Sequence, residues 1–116
     1  MLIHISRSIA FYLAFYGISA ILVFCAFISL SFSHKMMHTM VRSWTNWHRW
    51  CVTHILGITV VVDGELAIGP VLYVIKHESF FEAIDAPTLL PLPSVFAKQE
   101  LFDIPAWGKA ALIYGL

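Results

Sequence analysis

Charge is scarce in this chain of 116 residues: only 12% are Asp, Glu, Lys or Arg, and seven acids balance seven bases to a net charge of zero. Such a chain carries no overall positive field, which argues against nucleic acid as a partner. Cysteine is equally sparse. Cys25 sits in an apolar run and Cys51 beside Trp50, with no C-x-x-C pair and no histidine at zinc-finger spacing. Both read as free thiols in a reducing compartment. His4, His34, His38, His48 and His54 have no carboxylate or cysteine partners at metal-ligand spacing, so no metal is expected. These five are placed at a membrane interface or on an amphipathic helix. Repeats and low-complexity tracts are also lacking.

What the chain has is apolar surface. Hydrophobic residues make up 59% of it and the mean hydropathy is +0.81, above what a small water-soluble domain carries. From Ile9 to Ser33 no residue is charged. As a helix rising about 1.5 Å per residue, that run reaches roughly 37 Å, enough to cross a bilayer. It exceeds the ~7–15 apolar residues of a signal peptide, and no small-x-small cleavage site follows, so residues 1–35 read as a retained anchor. Gly17 and the serines also allow a helical hairpin in one leaflet. Arg7 precedes the run and Lys35, Arg42 and Arg49 follow it, so the positive-inside rule places the remainder in the cytoplasm, at the inner membrane.

Residues 36–56 show helical periodicity. Met37, Met40, Val41, Trp44, Trp47, Cys51, Val52 and Ile55 fall on one side, and Arg42, Thr45, Asn46 and Arg49 on the other. Tryptophans and basic residues together suit an interfacial helix that touches membrane lipid, and the apolar stripe equally suits packing against the domain that follows. Gly57 closes it.

Residues 57–116 then alternate. Ile58 to Val62 is a β-branched run ended by Asp63-Gly64, and Val71 to Ile75 is a second apolar run that stops at Lys76-His77. Both read as strands. Ser79 to about Asp85 reads as a helix with Ser79 as N-cap and Glu82 in the capping-box position, ended by Pro87. Ser94 to Ala97 reads as a third strand and Ala106 to Tyr114 as a second helix. Strand, helix, strand, helix predicts an α/β sandwich with His77 at the C-terminal end of a strand, where open α/β sheets bind ligands.

A histidine five residues before a carboxylate can act as a general base. The acid holds one ring nitrogen and stabilises the imidazolium formed when the other takes a proton from an alcohol. Here that pair is His77 and Glu82, with Asp85 as the alternative acid one turn further on. Ser79 lacks the Gly-x-Ser-x-Gly elbow of a nucleophilic serine and is placed as a capping or hydrogen-bonding residue.

The segment Lys76-His77-Glu78-Ser79-Phe80-Phe81-Glu82 follows an apolar run, and Lys98, Glu100, Leu101, Pro105 and Gly108 recur at set spacing after it. Together they resemble the first two sequence blocks of the 1-acylglycerol-3-phosphate acyltransferase (lysophosphatidic acid acyltransferase) family of glycerolipid acyltransferases. The family's first block is His, four residues and Asp; Glu82 stands at that Asp. The aromatic and basic tract before Gly57 and the pattern from Gly57 to Gly64 are also family-like, so the resemblance runs from about residue 44 onward.

It implies transfer of a fatty acyl group from acyl-CoA or acyl-carrier protein to the free hydroxyl of a lysophospholipid, with 1-acyl-sn-glycerol-3-phosphate the first choice of acceptor. His77 is then the base, Glu82 its orienting acid and Lys98 a positive charge near the acceptor's phosphate, with Ser79 beside them. No cofactor or metal is implied. The family's later Glu-Gly-Thr-Arg block is not found before Leu116, so a partial acyltransferase domain is expected. The alternative is an inactive membrane-anchored fragment with a structural or interaction role.

Overall fold

The computed structural model describes residues 2–29, 32–76, 78–90, 93–104 and 107–115. Helix α1 spans Leu2–Ser29 and α2 spans His34–Cys51, continued by a π-helical turn over Val52–Leu56. Three further helices follow, α3 (Phe80–Leu89), α4 (Gln99–Phe102) and α5 (Trp107–Tyr114).

Helix α1 starts seven residues before the uncharged run, because its first two turns contain polar groups with somewhere to go. Ser6 Oγ donates back to the Ile3 carbonyl, and Arg7 Nε reaches across to the Ile55 carbonyl at 2.6 Å. The helix passes through Gly17 without a break. Chain reversal occurs instead at Ser29 to Ser33, where the Ser33 N–H donates to the Ser29 carbonyl and Ser33 takes an extended N-cap conformation.

α2 packs antiparallel along α1. Trp44 Nε1 donates to Ser19 Oγ at 2.8 Å, Trp47 Nε1 to the Ala14 carbonyl at 3.3 Å, and Arg7 meets Ile55. Positions thus fall along α1 as they rise along α2. The core lies in this seam, where Phe15, Met37, Cys51 and Val52 are buried, and Ala86 and Ala111 extend it to the later helices. Thr45, read from the sequence as part of the polar face, is 1% exposed. Its hydroxyl donates to the Arg42 carbonyl, so burying it leaves no donor unmet.

Gly57 ends the helical stretch in the left-handed region at φ +73°. A Cβ there would overlap the Arg7 guanidinium, so two demands select glycine at this position.

The expected α/β sandwich does not form. Among the described residues the chain is helical, with no strand and no sheet. The runs Ile58 to Val62, Val71 to Ile75 and Ser94 to Ala97 take no ladder partners. Their geometry explains this. Eight residues, Asp63 to Pro70, separate the first two runs. That is longer than a tight hairpin and shorter than the dozen or more residues of a parallel crossover. Gly64 and Gly69, both at positive φ, bend the connection, and Tyr73 donates its hydroxyl to the Ala67 carbonyl within the same loop.

α3 also outruns its expected end, continuing past Pro87 to Leu89. Proline removes one backbone donor, yet the last turn is held in other ways. Thr88 Oγ1 donates to the Asp85 carbonyl at 2.7 Å, and the Leu90 N–H donates to the Ala86 carbonyl.

Candidate functional site

His77, the base expected from the sequence, lies outside the described residues, as do Pro105 and Ala106 of the second block. What surrounds it in sequence is defined. Lys76 and Glu78 form an exposed ion pair. Ser79 caps α3: its Oγ accepts from the Phe81 N–H, while its N–H and its hydroxyl both donate to Glu82 Oε2, at 2.9 and 3.0 Å. This reciprocal capping box is what the Ser-x-x-Glu spacing predicts. It holds the Glu82 carboxylate at the N-terminal end of α3, where the helix dipole favours negative charge.

Lys98 is not brought to this place by any contact of its own. It is the exposed N-cap of α4, without a side-chain hydrogen bond, and α4 packs on α5 while α3 packs on α2. The second block is therefore a pair of short helices in close approach. The Gly108 N–H donates to the Ile104 carbonyl, and a Cβ at Gly108 would overlap the Phe102 carbonyl. Glycine here serves the turn between the helices.

Asp85, the alternative acid, is 2% exposed. Arg49 Nε reaches its Oδ1 at 2.8 Å and Arg49 Nη2 its Oδ2 at 2.5 Å, and Thr88 Oγ1 adds a third bond to Oδ1. The guanidinium–carboxylate fork ties α3 to α2 and raises the Arg49 pKa. Asp85 is in this way spent on joining helices, and Glu82 is the exposed-end carboxylate of the same helix.

His48, expected at a membrane interface or on the amphipathic helix, lies on that helix, α2, and is 5% exposed. Its ring is packed by Phe11 and Phe15 of α1, with centroids at 6.2 and 5.0 Å, and by Phe81 of α3 at 5.6 Å. Burial lowers its pKa against the opposing pull of Asp85, and its Nδ1 has no hydrogen-bond partner among the described residues. A signal was present in the sequence. Position 48 lies four residues after Trp44 and three before Cys51, on the apolar side of the periodicity, whereas its polar residue type had suggested the surface.

His48 opens into a cavity of about 500 Å³, walled by Phe11, Val52, Leu56, residues 58–61 and Phe81. That volume is within the ~300–1,000 Å³ of small-molecule sites. Its wall is mostly apolar, with the His48 imidazole and Thr59 as its polar side chains. Phe81 places it directly beside Glu82 in the chain. Cys25 and Cys51 are free thiols, and burial raises the Cys51 pKa, which makes it an inert core residue. Among the described residues no cluster of His, Cys, Asp and Glu could hold a metal ion.

Comparison with protein-family models, with characterised proteins and with solved structures found no match to this chain.

Proposed function

We propose that this protein is a membrane-anchored acyltransferase that moves a fatty acyl group from acyl-CoA or acyl-carrier protein to the free hydroxyl of a lysophospholipid, with 1-acyl-sn-glycerol-3-phosphate as acceptor. His77 is the general base, Glu82 orients it, Ser79 fixes Glu82, and Lys98 offers charge to the acceptor's phosphate. The observation that carries the reading is the apolar cavity whose wall includes Phe81, adjacent to the carboxylate that Ser79 holds in place. An acyl chain in that cavity would keep its thioester end near the first block. The order of the two sequence blocks supports the same assignment.

The membrane anchor is α1, 28 residues long and the one helix among those described that is apolar and long enough to cross a bilayer. We read the α1–α2 pair as lying in one leaflet. Arg42 is exposed midway along α2, and a spanning orientation would hold it near the bilayer centre at a cost of ~2.5–3.5 kcal/mol. With α1 among the acyl chains and α2 at headgroup depth, that cost disappears. Arg7 and Ile55 then share one end, and residues 57 onward face the cytoplasm.

A purified preparation of the full-length protein in neutral detergent, given labelled acyl-CoA and lysophosphatidic acid, tests the activity. Transfer is expected, with H77A slowing it by ~10²–10⁴-fold and E82Q slowing it more than D85N does in correctly folded protein. Transfer unaffected by H77A would sink the proposal.

One observation favours the second reading, a membrane-anchored protein with a structural or interaction role and no turnover. The stretch after Gly57 leaves large apolar side chains in the open, with Val74 at 90% and Ile68 at 100% exposure, as a surface awaiting a partner does. Absence of transfer to any of a panel of lysolipids would decide for it.

A further inference from the structure

A second cavity, of about 210 Å³, lies between the first half of α2 and α5. Lys35, His38, Thr39 and Arg42 line it from α2, with Pro87 of α3 and Tyr114 of α5 closing it. Lys35, His38 and Arg42 are spaced by three and four residues, so a single helix face presents all of them. No acidic side chain is in the wall, and neither Lys35 nor Arg42 makes an ion pair among the described residues. The contrast with Arg49 is direct, since Asp85 meets that guanidinium two turns further along α2.

His38 adds an independent sign of a missing ligand. Its Nδ1 is buried and has no hydrogen-bond partner among the described residues, although its ring is fixed against Tyr114 with centroids 4.9 Å apart. Buried polar atoms are normally satisfied, so an orphaned ring nitrogen in a basic cavity calls for explanation. Tyr114 contributes a further donor. Burial pushes its hydroxyl pKa up despite Arg42, so at neutral pH it is a phenol O–H. Two cations, an unsatisfied imidazole and a phenol together fit an anion with several acceptor oxygens.

We propose that this cavity binds the phosphate of an anionic phospholipid headgroup. A phosphate diester matches the site chemically, because Arg42 can hold two of its oxygens while Lys35 supplies a point charge. The lipid is favoured over phosphate from solution by position. α2 lies along α1, the helix apolar enough for a bilayer, so the cavity is carried where headgroups are concentrated. The site shares no residue with His77, Ser79, Glu82 or Lys98, and it does not depend on the acyl-transfer proposal.

The full chain in neutral detergent, labelled at its histidine rings, would be titrated with short-chain phosphatidylglycerol, with short-chain phosphatidylcholine and with inorganic phosphate. Phosphatidylglycerol is expected to move the His38 resonance and to raise the melting temperature, and phosphatidylcholine to do neither. R42Q should weaken the effect about tenfold, the scale of one charge-assisted hydrogen bond, while K76Q, an equal loss of charge outside the cavity, leaves it unchanged. Equal binding of the two lipids, an unmoved His38 resonance, or R42Q matching K76Q would each overturn the proposal. Inorganic phosphate binding as tightly as phosphatidylglycerol would overturn the lipid as the occupant.

Discussion

The α1–α2 pair and the stretch from Ile58 to Lys76 are both rich in large apolar residues, yet only the first has regular structure. A helix satisfies its backbone donors and acceptors within itself, so α1 forms wherever its side chains can avoid water. A strand must borrow those partners from another segment. Ile58 to Val62 and Val71 to Ile75 have the residue types of strands and no neighbour among the described residues to pair with. Apolar β-branched composition is thus a condition for a sheet and not a cause of one.

The sharpest way to break the helical half is to remove the charged pair that ties α3 to α2. D85A leaves Arg49 without its carboxylate and should destabilise the protein by about 3 kcal/mol, the lower end for a broken buried pair because Arg49 keeps some water contact. Replacing both residues, as in R49M with D85L, should recover much of that loss. Chemical denaturation in neutral detergent would show it; D85A unfolding like the unaltered protein would mean that α3 is not anchored through Asp85.

G57A attacks the junction between the two halves. A non-glycine residue at φ +73° costs ~1–2 kcal/mol, and the Cβ must also displace Arg7. The same denaturation measurement reads the cost. R7M combined with G57A should recover only the part due to the clash.

A smaller effect is expected at the start of α3. S79A removes the N-cap and one bond to Glu82, for about 1 kcal/mol of stability. Under the acyltransferase proposal it should also slow turnover by loosening Glu82. Stability lost with turnover unchanged would separate the cap from the chemistry.

The mildest probe is pH. His48 has a folded-state pKa below its ordinary 6.5, so the unfolded chain takes up the proton more readily. The stability contributed by neutral His48 is full above pH 6.5 and is lost as pH falls through the lowered folded value. Melting temperature should therefore drop on acidification below pH 6.5, and H48F should flatten that part of the profile. A profile with the same slope in H48F would assign the loss to other groups.

Several features were legible because their signals are local. The uncharged run announced α1, the period of the tryptophans and Cys51 announced α2, and Gly57 marked the end of the π turn that continues α2. Ser79 and Glu82 are three residues apart, and their capping box follows from spacing alone. Other features turn on packing between elements distant in the chain. Thr45 falls on the polar side of the periodicity yet is buried, and His48 is polar in type yet is covered by Phe11 and Phe15 of α1 and Phe81 of α3. Pro87 was taken for a helix stop, but Thr88 and the Arg49–Asp85 bond hold the turn beyond it.

The amino-acid sequence by itself determined that this protein carries a long apolar helix, an amphipathic helix whose π-helical continuation is closed by Gly57, and a capped helix displaying Glu82. Each of these is decided by contacts within a few residues. Tertiary structure alone decided that the apolar helix and the amphipathic helix pack antiparallel, that Asp85 belongs to Arg49 at a separation of 36 residues, and that His48 faces a cavity. It also decided that the β-branched runs take no ladder among the described residues. Such outcomes depend on which distant groups meet, and no local propensity encodes that meeting.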